Sequence, residues 1–239
     1  MWKDLGNPKP RTEPGTYTPL QWTEGEALPL AGDNGAGKGE DGTLPLALTS
    51  FRALVASRRT RYSLGAIDLP ELSDLFSLTS RIALTGPNPL GFALTQRPAP
   101  SAGAIHPLHV VVQLPGCPRL FRYDPLAHAL RTLVCRVSAV ELRDAMNRLV
   151  DGGDGALLLF VAEPAKTLAK YEDGCSLVWR DAGVLQGFFS MAAEALALNF
   201  ILLGVTGEPW VSQLVDERGL VGVGAAFVGT RAQSGPRSP

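Results

Sequence analysis

The stretch ALLLFVA, Ala156 to Ala162, contains no polar side chain and has the length of a strand. A segment of that kind must lose water on both faces, which puts it at the centre of a sheet covered above and below. A second run, LHVVVQL from Leu108 to Leu114, follows a turn of small residues and reads as another buried strand. Further strands are expected at Arg119 to Tyr123 and Ala129 to Val134, with Asp124-Pro125 opening the turn between them, and Ala225 to Gly229 closes the sheet.

Helix signals alternate with these strands. A first helix is expected from Leu46 to Ser57. Asp68 reads as an N-cap, with Pro70 in the first turn, Glu71 reaching back and Leu72, Leu75 and Phe76 as the inward stripe. Ser138 with Glu141 forms a second capping box, for a helix to Leu149. The longest helix is expected from Asp181 to Asn199, where Gln186, Ser190 and Glu194 recur every four residues in an otherwise apolar sequence. So narrow a polar stripe describes a helix surrounded by protein, and Gly183 and Gly187 permit close approach of another backbone. Thr85 to Pro100 carries four prolines and reads as an irregular connection.

Residues Met1 to Leu48 are rich in Pro and Gly and show no apolar period, so they are expected as an extended, partly disordered arm laid over a partner subunit. The segment GAGKGEDG within them lacks the Ser or Thr and the preceding strand of a phosphate-binding P-loop. Residues 49–231 then form one folded domain, and 232–239 a flexible tail.

A chain of 239 residues, 45% hydrophobic, buries a substantial core without dividing in two. A net charge of -1 with no long basic run argues against nucleic acid as a partner. Cys117, Cys135 and Cys175 are far apart and there are only three histidines, so reduced thiols are expected rather than zinc or disulfides. The first residues have no apolar segment behind their charges, which gives no secretory signal. Gly187 to Val205 is largely apolar, but Glu194 near its centre would cost roughly 2.5 to 3.5 kcal/mol in a bilayer. A buried helix followed by a buried strand is expected there instead, in a cytoplasmic protein that does not engage a membrane.

Three segments carry chemistry. SFRALVASRRTRYS ends in Arg58, Arg59 and Arg61, whose planar forks suit phosphate oxygens, although a solvated basic helix end has the same sequence. Pro100, Ser101, Ala102 and Gly103 leave backbone amides and one hydroxyl uncovered, which suits a flat or anionic ligand as well as an ordinary loop. The third segment, Lys170 to Gly204, places a Lys-Tyr pair ahead of the long apolar helix.

In this order the segments resemble the nitroreductase superfamily of FMN-dependent oxidoreductases. PSAGAIHP, RLFRYDPLAHALRTL and the pair Lys170-Tyr171 are most similar to the thiazoline/oxazoline dehydrogenase branch of modified-peptide biosynthesis. The resemblance spans Phe51 to Gly229, and implies an α+β, three-layer α/β/α fold with a mostly antiparallel central sheet. It also implies a homodimer with the flavin in a groove shared by both subunits, a small-molecule or peptide substrate, and partner enzymes from the same biosynthesis.

Carried over residue by residue, the resemblance makes Arg58, Arg59 and Arg61 the phosphate and ribityl contacts, with Arg231 completing the clamp. Pro100, Ser101, Ala102 and Gly103 would lie against the flavin ring of the neighbouring subunit, with an amide or the Ser101 hydroxyl on a ring heteroatom. Gln186 joins the cofactor contacts, and Gly204, Thr206 and Gly207 match the loop that passes beside the flavin. Lys170 and Tyr171 would deprotonate the carbon next to the substrate ring while hydride leaves to FMN. His106 stands open between a packed residue and a proton donor.

The chain also departs from the family pattern. Thr60 is followed directly by Arg61, Val184 replaces a common histidine, Asn199 stands near a usual glycine, and Glu208 and Pro209 follow Gly207. The implied reaction is oxidation of a peptide- or amino-acid-derived ring, azoline to azole. The alternatives are an NAD(P)H-dependent nitro or quinone reductase and a flavin-free scaffold subunit.

Overall fold

The computed structural model describes residues 7–30, 50–216 and 219–231. In chain order its elements are β1 (Lys9–Pro10), β2 (Glu24–Pro29), α1 (Phe51–Ser57), β3 (Leu64–Gly65), α2 (Leu69–Thr79), β4 (Leu84–Thr85), β5 (Thr95–Gln96) and β6 (Leu108–Gln113). There follow β7 (Leu120–Asp124), β8 (Ala129–Leu133), α3 (Ala139–Asn147), β9 (Ala156–Ala162), α4 (Pro164–Lys170), β10 (Tyr171–Glu172), α5 (Cys175–Ala195), β11 (Leu198–Leu203) and β12 (Val221–Arg231).

Among the described residues the main sheet has eight strands, ordered β11-β12-β9-β6-β7-β8-β2, with β3 paired to the end of β12. Its neighbouring strands are antiparallel. The all-apolar β9 lies mid-sheet, between β12 and β6. Side chains alternate between faces, as strand geometry requires. Val110, Val112, Leu158 and Phe160 pack with Leu72, Leu75 and Phe76 of α2 and Phe189 of α5. Val111, Leu157, Leu159 and Val161 pack on the other side with Leu142 and Met146 of α3 and with Val211, Leu214 and Leu220. Helices thus lie on both faces of the sheet.

The Asp68 cap forms as expected: its side chain accepts from Glu71 N–H at 2.8 Å, and Glu71 accepts from Asp68 N–H at 3.0 Å. The longest helix starts at Cys175, ahead of the expected Asp181, and ends at Ala195. Ala197, in the left-handed region at φ 58°, reverses the chain there, so Asn199 belongs to β11. The helix is not surrounded within one chain: Val184, Phe188 and Trp179 are exposed, and a Cβ added at Gly183 or Gly187 would meet open space.

The N-terminal arm supplies β2, an edge strand on β8, and β1, which pairs with β10. Residues 7–30 therefore fasten onto their own domain. The fastening point is Glu163, 0% exposed, whose carboxylate accepts from Tyr17 Oη at 2.9 Å and Leu20 N–H at 2.6 Å. His109 Nε2 lies 2.9 Å from its second oxygen. An ionised carboxylate only accepts, so that imidazole carries its proton on Nε2. The Gly-rich segment Ala31 to Gly42, the expected helical residues Leu46 to Leu48 and the tail lie outside the described residues. Among those described, no helix is long and apolar enough to cross a membrane.

Candidate active site

Arg58, Arg59 and Arg61 follow the C-terminus of α1, where the helix dipole favours cations. Arg59 Nη1 donates to Ala56 O at 2.8 Å and Arg58 O at 2.7 Å, while Arg58 makes no ion pair among the described residues. Arg61 Nη1 donates to Glu194 Oε2 at 2.8 Å, and Arg231 Nη2 lies 3.1 Å from Glu194 Oε1. Two of the four arginines thus meet on one carboxylate, whose side chain is 5% exposed. Burial alone would raise the pKa of Glu194, but hydrogen bonds from Arg61 and Ser57 and the charges of Arg231 and Arg61 hold it below the usual range. The polar stripe of α5 reveals its purpose here: Glu194 is a counter-ion for an arginine cluster.

The Pro100 to Gly103 turn is pinned to the first half of α5. Ser101 Oγ donates to Asp181 Oδ2 at 2.5 Å, and Ala102 N–H donates to Asp181 Oδ1 at 3.1 Å. His106 N–H donates to Ser101 Oγ at 3.0 Å. The Ser101 hydroxyl, which with the turn's amides was one of the groups expected on a flavin heteroatom, is therefore engaged inside the chain. Burial raises the Asp181 pKa, against the hydrogen bonds from Ser101 and Ala102.

Gly103 has φ 64°, in the left-handed region that favours glycine. A Cβ at this position would stand 2.8 Å from Tyr171 Oη and 2.9 Å from Lys170 Nζ. The pair and the turn, 67 residues apart in the numbering from 103 to 170, therefore converge on one spot. Lys170 is the last residue of α4 and Tyr171 the first of β10, so strand pairing with β1 holds the tyrosine's backbone.

The glycine loop forms a third group. Gly207 has φ 93°, and Thr206 O accepts from Gly224 N–H at 3.1 Å. Glu208 is turned to local use: its carboxylate accepts from Gly222 N–H at 2.8 Å and Ser212 N–H at 3.2 Å. Gln186 Nε2 donates to Val223 O at 2.9 Å, where an irregularity in the β12 ladder falls between Gly222 and Gly224. A Cβ at Gly204 would meet open space. The loop packs at one end of β12 and Arg231 stands at the other, about 30 Å away at strand rise. The sequence-expected residues thus form three clusters within a single chain.

Four residues have altered chemistry, and three of them, Lys166, His109 and Arg97, were not anticipated as site residues. Lys166, 8% exposed, is pushed down to about 8 by burial, with Glu163 opposing and Arg97 and Arg122 adding to the fall. Its Nζ donates to His106 O at 3.3 Å and lies 4.9 Å from the Phe92 ring centre. His109 is driven down to about 4 by burial despite its bond to Glu163, and His106 to about 3 by burial and Arg97. Burial thus favours the neutral form of both imidazoles at neutral pH, which makes His106 a poor acid. Arg97 is the fourth. The one available signal was Lys166 standing four residues before Lys170, on the same helical face.

No protein-family model matches the chain, and a search of curated proteins finds no match. Solved structures do match. A Ralstonia eutropha protein described as a nitroreductase aligns with TM-score 0.58 and 18% identity, over 92% of this chain and 98% of that one. An Anabaena variabilis protein described in the same way aligns at 0.54 and 17%, over 73% of this chain and 41% of the other. A chain of the E. coli microcin synthetase McbBCD complex with truncated pro-MccB17 bound aligns at 0.54 and 19%, over 87% and 84%. The fold is that of the nitroreductases, as the ordered motifs had implied.

Proposed function

We propose that the chain is an FMN-dependent oxidoreductase, a dehydrogenase that oxidises a peptide- or amino-acid-derived ring. The observation that carries this reading is the convergence of Lys170 Nζ and Tyr171 Oη on Gly103. Residues distant in sequence lie together in the fold. The McbBCD-derived structural neighbour supports a biosynthetic setting with partner enzymes.

The residues present fit flavin mononucleotide at both ends. Arg61 and Arg231 share the single Glu194 carboxylate, and with Arg58 and Arg59 next to Arg61 in the sequence they leave an excess of positive charge suited to phosphate, while the Pro100 to Gly103 turn, covered at Gly103 by Lys170 and Tyr171, would offer its remaining backbone to a flat ring. FMN, when bound, accepts the hydride removed from substrate. Lys170 takes the proton from the adjacent carbon, Tyr171 orients the substrate, and Arg58, Arg59, Arg61 and Arg231 hold the phosphate. Asp181 and Glu194 are about 20 Å apart along α5. That separation supports an assembly in which one protomer's arginines face its partner's turn. A homodimer would also cover α1, which buries no residue, and the exposed Val184 and Phe188 of α5.

An absorption spectrum of purified protein, before and after incubation with FMN and desalting, tests the reading. Retained flavin bands support it, and a colourless, folded dimer overturns it. The latter result would favour a flavin-free scaffold, a second reading motivated by Glu194 already occupying Arg61 and Arg231. Replacing Arg58 and Arg59 together by alanine is expected to weaken FMN binding roughly tenfold or more, read by flavin fluorescence. Lys170→Ala is expected to slow turnover on the order of a hundredfold while flavin stays bound, and undiminished turnover would remove Lys170 as the base. Rapid reduction of the flavin by NAD(P)H would instead indicate a nitro or quinone reductase.

A further inference from the structure

Arg97 follows β5 and stands in the wall between two spaces. Inside lies a cavity of about 130 Å³, bounded among others by Thr79, Leu108, Tyr123 and Asp181. Outside lies a groove of about 530 Å³, between the β4 and β5 ribbon and the Pro100 turn, with Leu84, Leu94 and Ala104 on its walls. Arg97, Pro100, Ser101 and His106 line both.

The guanidinium of Arg97 has no counter-ion among the described residues. Its Nε–H donates to Thr95 Oγ1 at 3.1 Å, and it makes no ion pair among the described residues. Burial pulls its pKa down to about 10, with Tyr123 opposing and Arg122 adding to the fall. The other charged groups near it are already engaged. Arg122 is bonded to Glu24, Lys166 donates to His106 O, Asp181 has one oxygen on Ser101 and one on Ala102, and His106 is neutral. A half-buried cation without an anion is less stable than a paired one, and one that keeps its terminal nitrogens open beside a cavity is ready for a partner.

We infer that Arg97 anchors the carboxylate of a small organic acid whose apolar body lies in the groove. The planar fork binds a carboxylate through two parallel hydrogen bonds. One unpaired cation matches one negative charge, and the groove's leucines match an apolar body better than a free phosphate. Leu84, 65% exposed, would be covered by it. The carboxylate has two sources, a simple acid or the C-terminus of an amino acid or peptide. The inference does not depend on flavin binding.

The test is calorimetric titration of the full chain with benzoate, hippurate, benzamide and inorganic phosphate, repeated with FMN present. Benzoate or hippurate is expected to bind, with benzamide weaker by roughly tenfold or more. Tighter hippurate assigns an amino-acid or peptide C-terminus, and tighter benzoate a simple acid. Arg97→Gln is expected to lose at least about tenfold with its melting curve intact. Leu84→Glu places a like charge at the exposed groove wall and is expected to weaken binding without touching Arg97, which keeps the inference testable if the first variant does not fold. Equal binding of benzamide and benzoate, phosphate binding alone, or unchanged affinity in both variants overturns it. Benzoate binding by a protein that refuses FMN would leave this site standing while removing the flavin reading.

Discussion

Phe189→Ala is expected to lower the unfolding free energy by about 3 to 5 kcal/mol, the range for emptying a fully buried aromatic site. Phe189 is 0% exposed and lies where α5 meets both α2 and the sheet. Its ring makes edge contacts with Phe76 at 5.7 Å and Phe160 at 5.3 Å, and stacks at 6.3 Å on Phe200. Three elements that surround one ring cannot all move to fill the space it leaves. The check is a urea titration, in which the midpoint should fall with an unchanged slope. A loss below about 1 kcal/mol would mean that the aromatic cluster collapses onto the vacancy. The neighbouring Phe188 is 38% exposed, and its replacement by alanine should change association more than the stability of the chain.

Glu163→Ala should cost a comparable amount, about 3 to 5 kcal/mol, because three partly buried partners lose the one buried carboxylate they share. It would free Tyr17 Oη, Leu20 N–H and His109 Nε2 at once. Loss of the N-terminal strap should be visible as early proteolysis ahead of β2. The wild-type chain should also lose stability on acidification. Burial would raise the Glu163 pKa, but the His109, Leu20 and Tyr17 bonds hold it below the usual range, so its contribution is present above the unfolded pKa and lost as pH falls through the folded one. The folded pKa of His109 is depressed to about 4, so the unfolded chain takes up that proton first, from about pH 6.5 downwards. The two effects have the same sign, and melting temperature should fall from about pH 6.5 towards pH 4. A flat or rising profile there would contradict the assigned protonation states.

Much of the sheet was legible because burial writes itself into composition. β6, β7, β8 and β9 appear within a residue of their expected ends, since each is an apolar or alternating run bounded by turn residues. Asp68 and Glu71 declared their helix for the same local reason. β2 was invisible because EGEALP has no alternation, and an edge strand tolerates both its glutamates and Pro29. The early start of α5 was hidden by Gly174 as its cap, which offers no side-chain signal. At the site, residue types were readable but their partners were not. Nothing local tells that Glu194 meets Arg61 from 133 positions away, or that Asp181 holds Ser101 across 80. The arginines, expected to be reserved for phosphate, are partly neutralised by the chain itself.

The strap at Glu163 orders events in time. Tyr17 and Leu20 leave the ribosome well before their acceptor, which lies 146 and 143 residues downstream. They can settle only after β9 and α4 have been synthesised and β6 has paired beside them, so a segment made early is among the last to dock. Until then β8 keeps a bare edge, and the nascent chain is most open to adopting another molecule's strand in place of its own beginning.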